Sequence, residues 1–138
     1  MQTVNPVNPK IITRLFEYVV DSAGITEFSL RNDAELRDAA RIIKMEAFTN
    51  SQVPFSPERR PVVSDAVFKK SSIKLVNNGG RELRHIALPS ISKSVNTFFV
   101  DNINVQAIDF EKSKILIGEA TGVVAGECYL FQITYEKI

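Results

Sequence analysis

The sequence predicts an all-β domain, an antiparallel β-sandwich with the jelly roll as its candidate form. Three observations carry this. Short segments of alternating apolar and polar residues recur along the chain, turn-forming residues separate them, and no sustained helical periodicity follows Ala40. The clearest case is Ser71 to Pro89, where Asn77-Asn78-Gly79-Gly80 divides two alternating runs carrying Ile73, Leu75, Ile86 and Leu88. Asparagine and glycine tolerate the positive φ angles of a tight reversal, so this stretch predicts a hairpin.

The other elements follow in order. Residues 1–10 are polar and carry two Asn-Pro pairs, which cannot support a regular ladder, and they predict an extended arm ahead of a single domain over 11–138. Ile11 to Val20 has two readings. Its apolar residues recur at helical spacing after Asn8 and Pro9, but Phe16, Tyr18, Val19 and Val20 favour a strand and Asp21 to Gly24 reads as a turn, so strand is preferred. Ile25 to Leu30 forms the next strand-like segment, and Asn32 to Ala40 is a polar link with room for one helical turn. Arg41 to Thr49 predicts a half-buried strand with Ile43, Met45 and Ala47 inward and Lys44 and Glu46 outward.

Asn50 to Lys70 breaks the pattern with Pro54, Pro57 and Pro61 and the pairs Arg59-Arg60 and Lys69-Lys70. It reads as a long irregular loop, a feature often functional in a compact domain. After the hairpin, Phe99, Ile103 and Val105 share one parity while Ile108 and Phe110 take the other, which predicts a strand break near Gln106. Ser113 to Ile117 is a short strand and Gly118 to Gly126 a small-residue loop. Cys128 to Tyr135 is a final strand with Tyr129, Phe131, Ile133 and Tyr135 on one face, so the chain ends inside a sheet. Seven to nine strands result.

Composition bounds the function. A chain of 138 residues, 44% hydrophobic and 24% charged, suits one soluble core, and no apolar run reaches the ~20 residues of a membrane span. The formal net charge of +1 supplies no global field toward nucleic acid, which argues against that partner. Residues 1–10 lack the apolar core of a secretory signal, which predicts synthesis inside the cell.

No catalytic constellation emerges, and the chain reads as a non-enzyme without metal or cofactor. The single histidine, His85, sits mid-strand, and a set built from Ser64, Asp65 and His85 lacks a nucleophile elbow. Gly118, Gly122 and Gly126 are followed by Glu127 and a strand, whereas a phosphate loop needs a Lys-Ser or Lys-Thr and a helix. Asp101, Asp109, Glu111, Glu119 and Glu127 show no calcium-loop spacing and read as acids that solvate loops. The lone Cys128 has no cationic neighbour to activate it. Flat exposed aromatics would serve glycan binding, yet the chain has no Trp and its Phe and Tyr mostly take core parities.

What remains is an interface. Phe55, between Pro54 and Ser56-Pro57, has two readings, an apolar anchor into a partner or a ring folded back over one sheet, and Arg59, Arg60, Lys69 and Lys70 either offer forked or point cations to a neighbouring chain or solvate the loop.

Ala39 to Thr49, Pro57 to Ser64 ending in Arg60-Pro-Val-Val-Ser64, Ile73 to Val76, Ile86 to Pro89 and Asp109 to Ile115 follow an order that resembles small jelly-roll virion proteins of tailless icosahedral bacteriophages. The resemblance spans about residues 25–138. It implies a capsid or capsid-associated subunit, made in the host cytoplasm and resident in the virion, whose partners are copies of itself and other structural proteins. A glycan- or protein-binding β-sandwich module is the alternative.

Overall fold

The computed structural model describes residues 10–30, 36, 39–50, 60–92, 99–118 and 122–137. Eight strands account for most of them: β1 (Lys10–Val19), β2 (Glu27–Ser29), β3 (Arg41–Phe48), β4 (Ser71–Val76), β5 (Glu82–Ala87), β6 (Phe99–Asn104), β7 (Lys114–Ile117) and β8 (Cys128–Lys137). They form two four-stranded sheets, ordered β1-β8-β3-β6 and β2-β7-β4-β5. Every named pairing is antiparallel. The pairs are nested, since β4 joins β5, β3 joins β6, β2 joins β7 and β1 joins β8. The all-β sandwich is thus the fold, and Ile11 to Val19 is strand, not helix.

The core between the sheets follows from strand parity. On β8, an inner strand, Tyr129, Phe131, Ile133 and Tyr135 face inward and are at most 2% exposed. Phe16 and Tyr18 meet them from β1, with Tyr18 edge-on to Phe131 at 5.5 Å and Phe16 edge-on to Tyr135 at 6.0 Å. From the second sheet Phe28 reaches Tyr129 at 6.0 Å. Ile73, Leu75 and Ile115 close the core from below.

The predicted hairpin forms as its turn chemistry requires. Asn77 Oδ1 accepts the backbone N–H groups of Gly79 and Arg81 at 3.0 and 2.8 Å, and Gly80 adopts φ +84°. Its second strand ends at Ala87, and Leu88–Ile91 turns into a 3₁₀ segment that buries Leu88 and Ile91. The break near Gln106 is likewise a 3₁₀ turn, Val105–Ala107, with Asn104 accepting from the Gln106 N–H at 3.0 Å.

Two expectations are corrected. In β3 the core residue is Ile42, fully buried, and not Ile43. A register shift between Ile42 and Lys44 against both neighbours resets the parity, a bulge that strict alternation does not anticipate. The stretch read as one irregular loop over Asn50 to Lys70 is, from residue 60 onward, part of the subunit's own packing. Val62 bridges Cys128 in parallel, Val63 donates to the Cys128 carbonyl at 3.0 Å, and both valines are buried. One helical turn, Asp65–Phe68, follows with Ser64 as its N-cap and buries Val67 and Phe68.

That turn anchors a buried polar link between the sheets. Ser71 Oγ donates to the Val67 carbonyl at 2.8 Å, which leaves the Tyr129 hydroxyl to donate to Ser71 Oγ at 2.6 Å. Burial pushes the Tyr129 pKa above its ordinary 10.0, the Ser71 bond opposes the shift, and the nearby Glu127 charge adds to it. Folding therefore favours the neutral phenol, a contribution fully present below pH 10 and lost as pH rises through the folded value. Tyr129→Phe is expected to flatten the alkaline loss of stability in urea titrations run across pH 9 to 11. Ser71→Ala is expected to cost about 1–2 kcal/mol and more than Tyr129→Phe, because it strands a buried hydroxyl whereas the phenylalanine leaves Ser71 its carbonyl. The opposite ranking would show that Tyr129 finds another acceptor.

Candidate functional site

Phe55 and Arg59 lie outside the described residues. Arg60, Lys69 and Lys70 are exposed, and their backbones are tied into one end of the sandwich. The Arg60 carbonyl lies 3.9 Å from Cys128 Sγ, and the Lys70 carbonyl accepts the Gly118 N–H at 2.8 Å. Since Cys128 opens β8 and Lys70 immediately precedes β4, the three cations belong to the end where both strands begin. Gly118 is needed there for close approach, because a Cβ on it would stand 2.8 Å from the Lys70 carbonyl oxygen.

One residue at this end escaped the sequence reading. Val124, in the loop read only as small-residue, is 51% exposed, whereas its neighbour Val123 is buried and accepts the Gly24 N–H through its carbonyl at 3.3 Å. Two adjacent valines between glycines were the available signal, since one loop cannot turn both inward. Gly122 and Gly126, both at φ +88°, make the turns that present Val124 and require no phosphate.

His85 enters a different set from the one considered. Its Nε2 lies 2.8 Å from Ser72 Oγ and its Nδ1 3.6 Å from Glu82 Oε1, all on the second sheet, with His85 and Glu82 side chains 43% and 49% exposed. The order of groups is that of a hydrolytic triad, but β4 is paired on both sides, so its N–H groups serve the ladders and not an oxyanion. The geometry makes a surface hydrogen-bond network.

Asp109 caps its own loop, its Oδ1 accepting from the Glu111 and Lys112 N–H groups at 3.0 and 3.2 Å. It borders an open groove with Asn78, Gln106 and Glu111 at the opposite end of the sandwich. Among the described residues, no three His, Cys, Asp or Glu side chains gather as metal ligands, and no helix is long and apolar enough to cross a membrane. Cys128 is fully buried, which fits an inert thiol.

No family model, curated protein or solved structure matches the chain.

Proposed function

We propose that the chain is a structural subunit that assembles with copies of itself, as a capsid or capsid-associated protein of a virion. The observation that carries this reading is the nested strand order. Pairing first with eighth, second with seventh, third with sixth and fourth with fifth, split over two four-stranded sheets, is the order that a rolled hairpin would give and supports the jelly-roll reading. Jelly rolls serve viral shells and lectins alike. Among the described side chains Phe28 is half-buried and the other aromatic rings are buried, which supports the first over a module that stacks sugars on exposed rings. Phe16, Tyr18, Phe48, Phe68, Phe110, Tyr129, Phe131 and Tyr135 are all buried.

The contact end is the one where β4 and β8 begin. There Val124 supplies exposed apolar area, and Arg60, Lys69 and Lys70 are exposed cations at the same end. Such a patch suits an acidic-rimmed surface of a neighbouring structural protein better than it suits nucleic acid, given a net charge of +1.

Size-exclusion chromatography with light scattering tests the reading. A discrete large oligomer is the expected result, and a monomer at every concentration overturns it. Replacing Arg60 and Lys69 together by alanine is expected to weaken assembly by about 1–2 kcal/mol, the scale of rim charges, with unfolding unchanged. Undisturbed assembly removes this end from the interface.

A further inference from the structure

We propose that Asn78 is a deamidation site of the folded chain, converted by water to a carboxylate through a cyclic imide with Gly79, and that the Asn77 side chain restrains the reaction. The proposal concerns the subunit alone and does not depend on the assembly reading.

The reaction needs an asparagine whose carboxamide carbon can be reached by the backbone nitrogen of the next residue. A side chain on that residue hinders the approach, and glycine has none. Of the nine asparagines in the chain, Asn78 alone precedes glycine, whereas Asn5 and Asn8 precede proline, which has no N–H to give up. Asn78, Gly79 and Gly80 are exposed at the tip of the β4·β5 hairpin, so water reaches the site.

The step balances with water as its only co-reactant. The Gly79 amide gives its proton to solvent, its nitrogen bonds to Asn78 Cγ, and the Cγ–Nδ2 bond breaks as ammonia departs with a proton taken from water. One water then adds across either carbonyl of the imide, opening it to aspartate or to isoaspartate. Nothing is oxidised or reduced.

The folded turn holds both reacting groups. The Gly79 N–H donates to Asn77 Oδ1 at 3.0 Å, and the same oxygen accepts the Arg81 N–H at 2.8 Å, so the proton is kept on the nitrogen that must lose it. The leaving amide, Asn78 Nδ2, donates to the Gln106 carbonyl at 3.3 Å, and the Asn78 backbone N–H donates to the Ala107 carbonyl at 3.2 Å. Attack requires the Gly79 bond to Asn77 to open first.

The product changes its surroundings. Asn78 lines the groove with Asp109 and Glu111, so conversion puts a third carboxylate there, and a carboxylate cannot donate to the Gln106 carbonyl. Lys112 Nζ already lies 4.0 Å from Asp109 Oδ2. The isoaspartate product also lengthens the backbone where the hairpin meets Val105–Ala107.

Peptide mass spectrometry of the full chain, aged at neutral and at mildly alkaline pH, tests this. Asn78 is expected to convert ahead of every other asparagine, and faster at alkaline pH because the deprotonated amide is the attacking species. Asn77→Ala is expected to raise the rate about fivefold, the equivalent of one hydrogen bond, and Asn77→Asp, which keeps an acceptor, to convert no faster than the parent. Should Asn77→Ala fail to fold, the parent chain in urea supplies the comparison, with conversion expected to exceed that of the folded chain by at least about fivefold. Conversion at Asn78 no faster than at the other asparagines of the folded chain overturns the site. A folded parent that converts as fast as Asn77→Ala, or as fast as the chain in urea, overturns the restraint.

Discussion

Phe131→Ala is expected to destabilise the subunit by about 3–5 kcal/mol, the range for removing a large aromatic from a packed core. The residue is fully buried on inner strand β8, opposite Phe16 on β1 and Ala47 on β3. Ala47 leaves room that the Phe131 ring fills, and the edge-on contact with Tyr18 at 5.5 Å adds the preference of aromatic pairs beyond buried area. Truncation would open a cavity bounded by strands on both sides, and those strands are fixed by ladders that limit collapse. Urea unfolding should show a lower midpoint at unchanged slope. A loss under about 1.5 kcal/mol would mean that the sheets close over the gap, as a loosely packed sandwich does.

The same region shows what a linear reading captures. Alternation marked Tyr129, Phe131, Ile133 and Tyr135 as one face because the pleat has a period of two, and all four are core residues. It did not mark Cys128 and Leu130, which are buried on the other parity because Val62 bridges Cys128 and Phe48 lies opposite Leu130. Those neighbours come from distant segments, so periodicity carries no trace of them. The Asn-Gly turn was legible because its chemistry is local. The bulge at Ile43 was not, because an extra residue in β3 is fixed by its two partner strands. The interface candidates divide similarly. Prolines and paired cations flagged residues 50–70 as unusual, but the burial of Val62, Val63, Val67 and Phe68 depends on where β8 begins. Exposed Val124 becomes visible only once the fold is known.

A partner set by register alone yields the second large effect. Arg41→Ala is expected to cost about 2–3 kcal/mol. Arg41 opens β3 directly opposite Glu136 near the end of β8, and both its Nε, at 3.0 Å, and one terminal nitrogen donate to Glu136 Oε2. The two side chains differ in exposure, 43% for Arg41 and 8% for Glu136. Losing the arginine therefore leaves a mostly buried carboxylate facing Ile11 across the ladder, without its charged donor. Breaking a fully buried pair costs about 3–5 kcal/mol, and water reaching the half-exposed Arg41 position lowers that figure here. Adding Glu136→Gln to Arg41→Ala should recover more than half of the loss, because a neutral amide is far cheaper to leave there than a charge. If Arg41→Ala costs no more than about 0.5 kcal/mol, the pair behaves as an ordinary surface ion pair, and the burial of Glu136 contributes nothing to the strength of the β3·β8 junction.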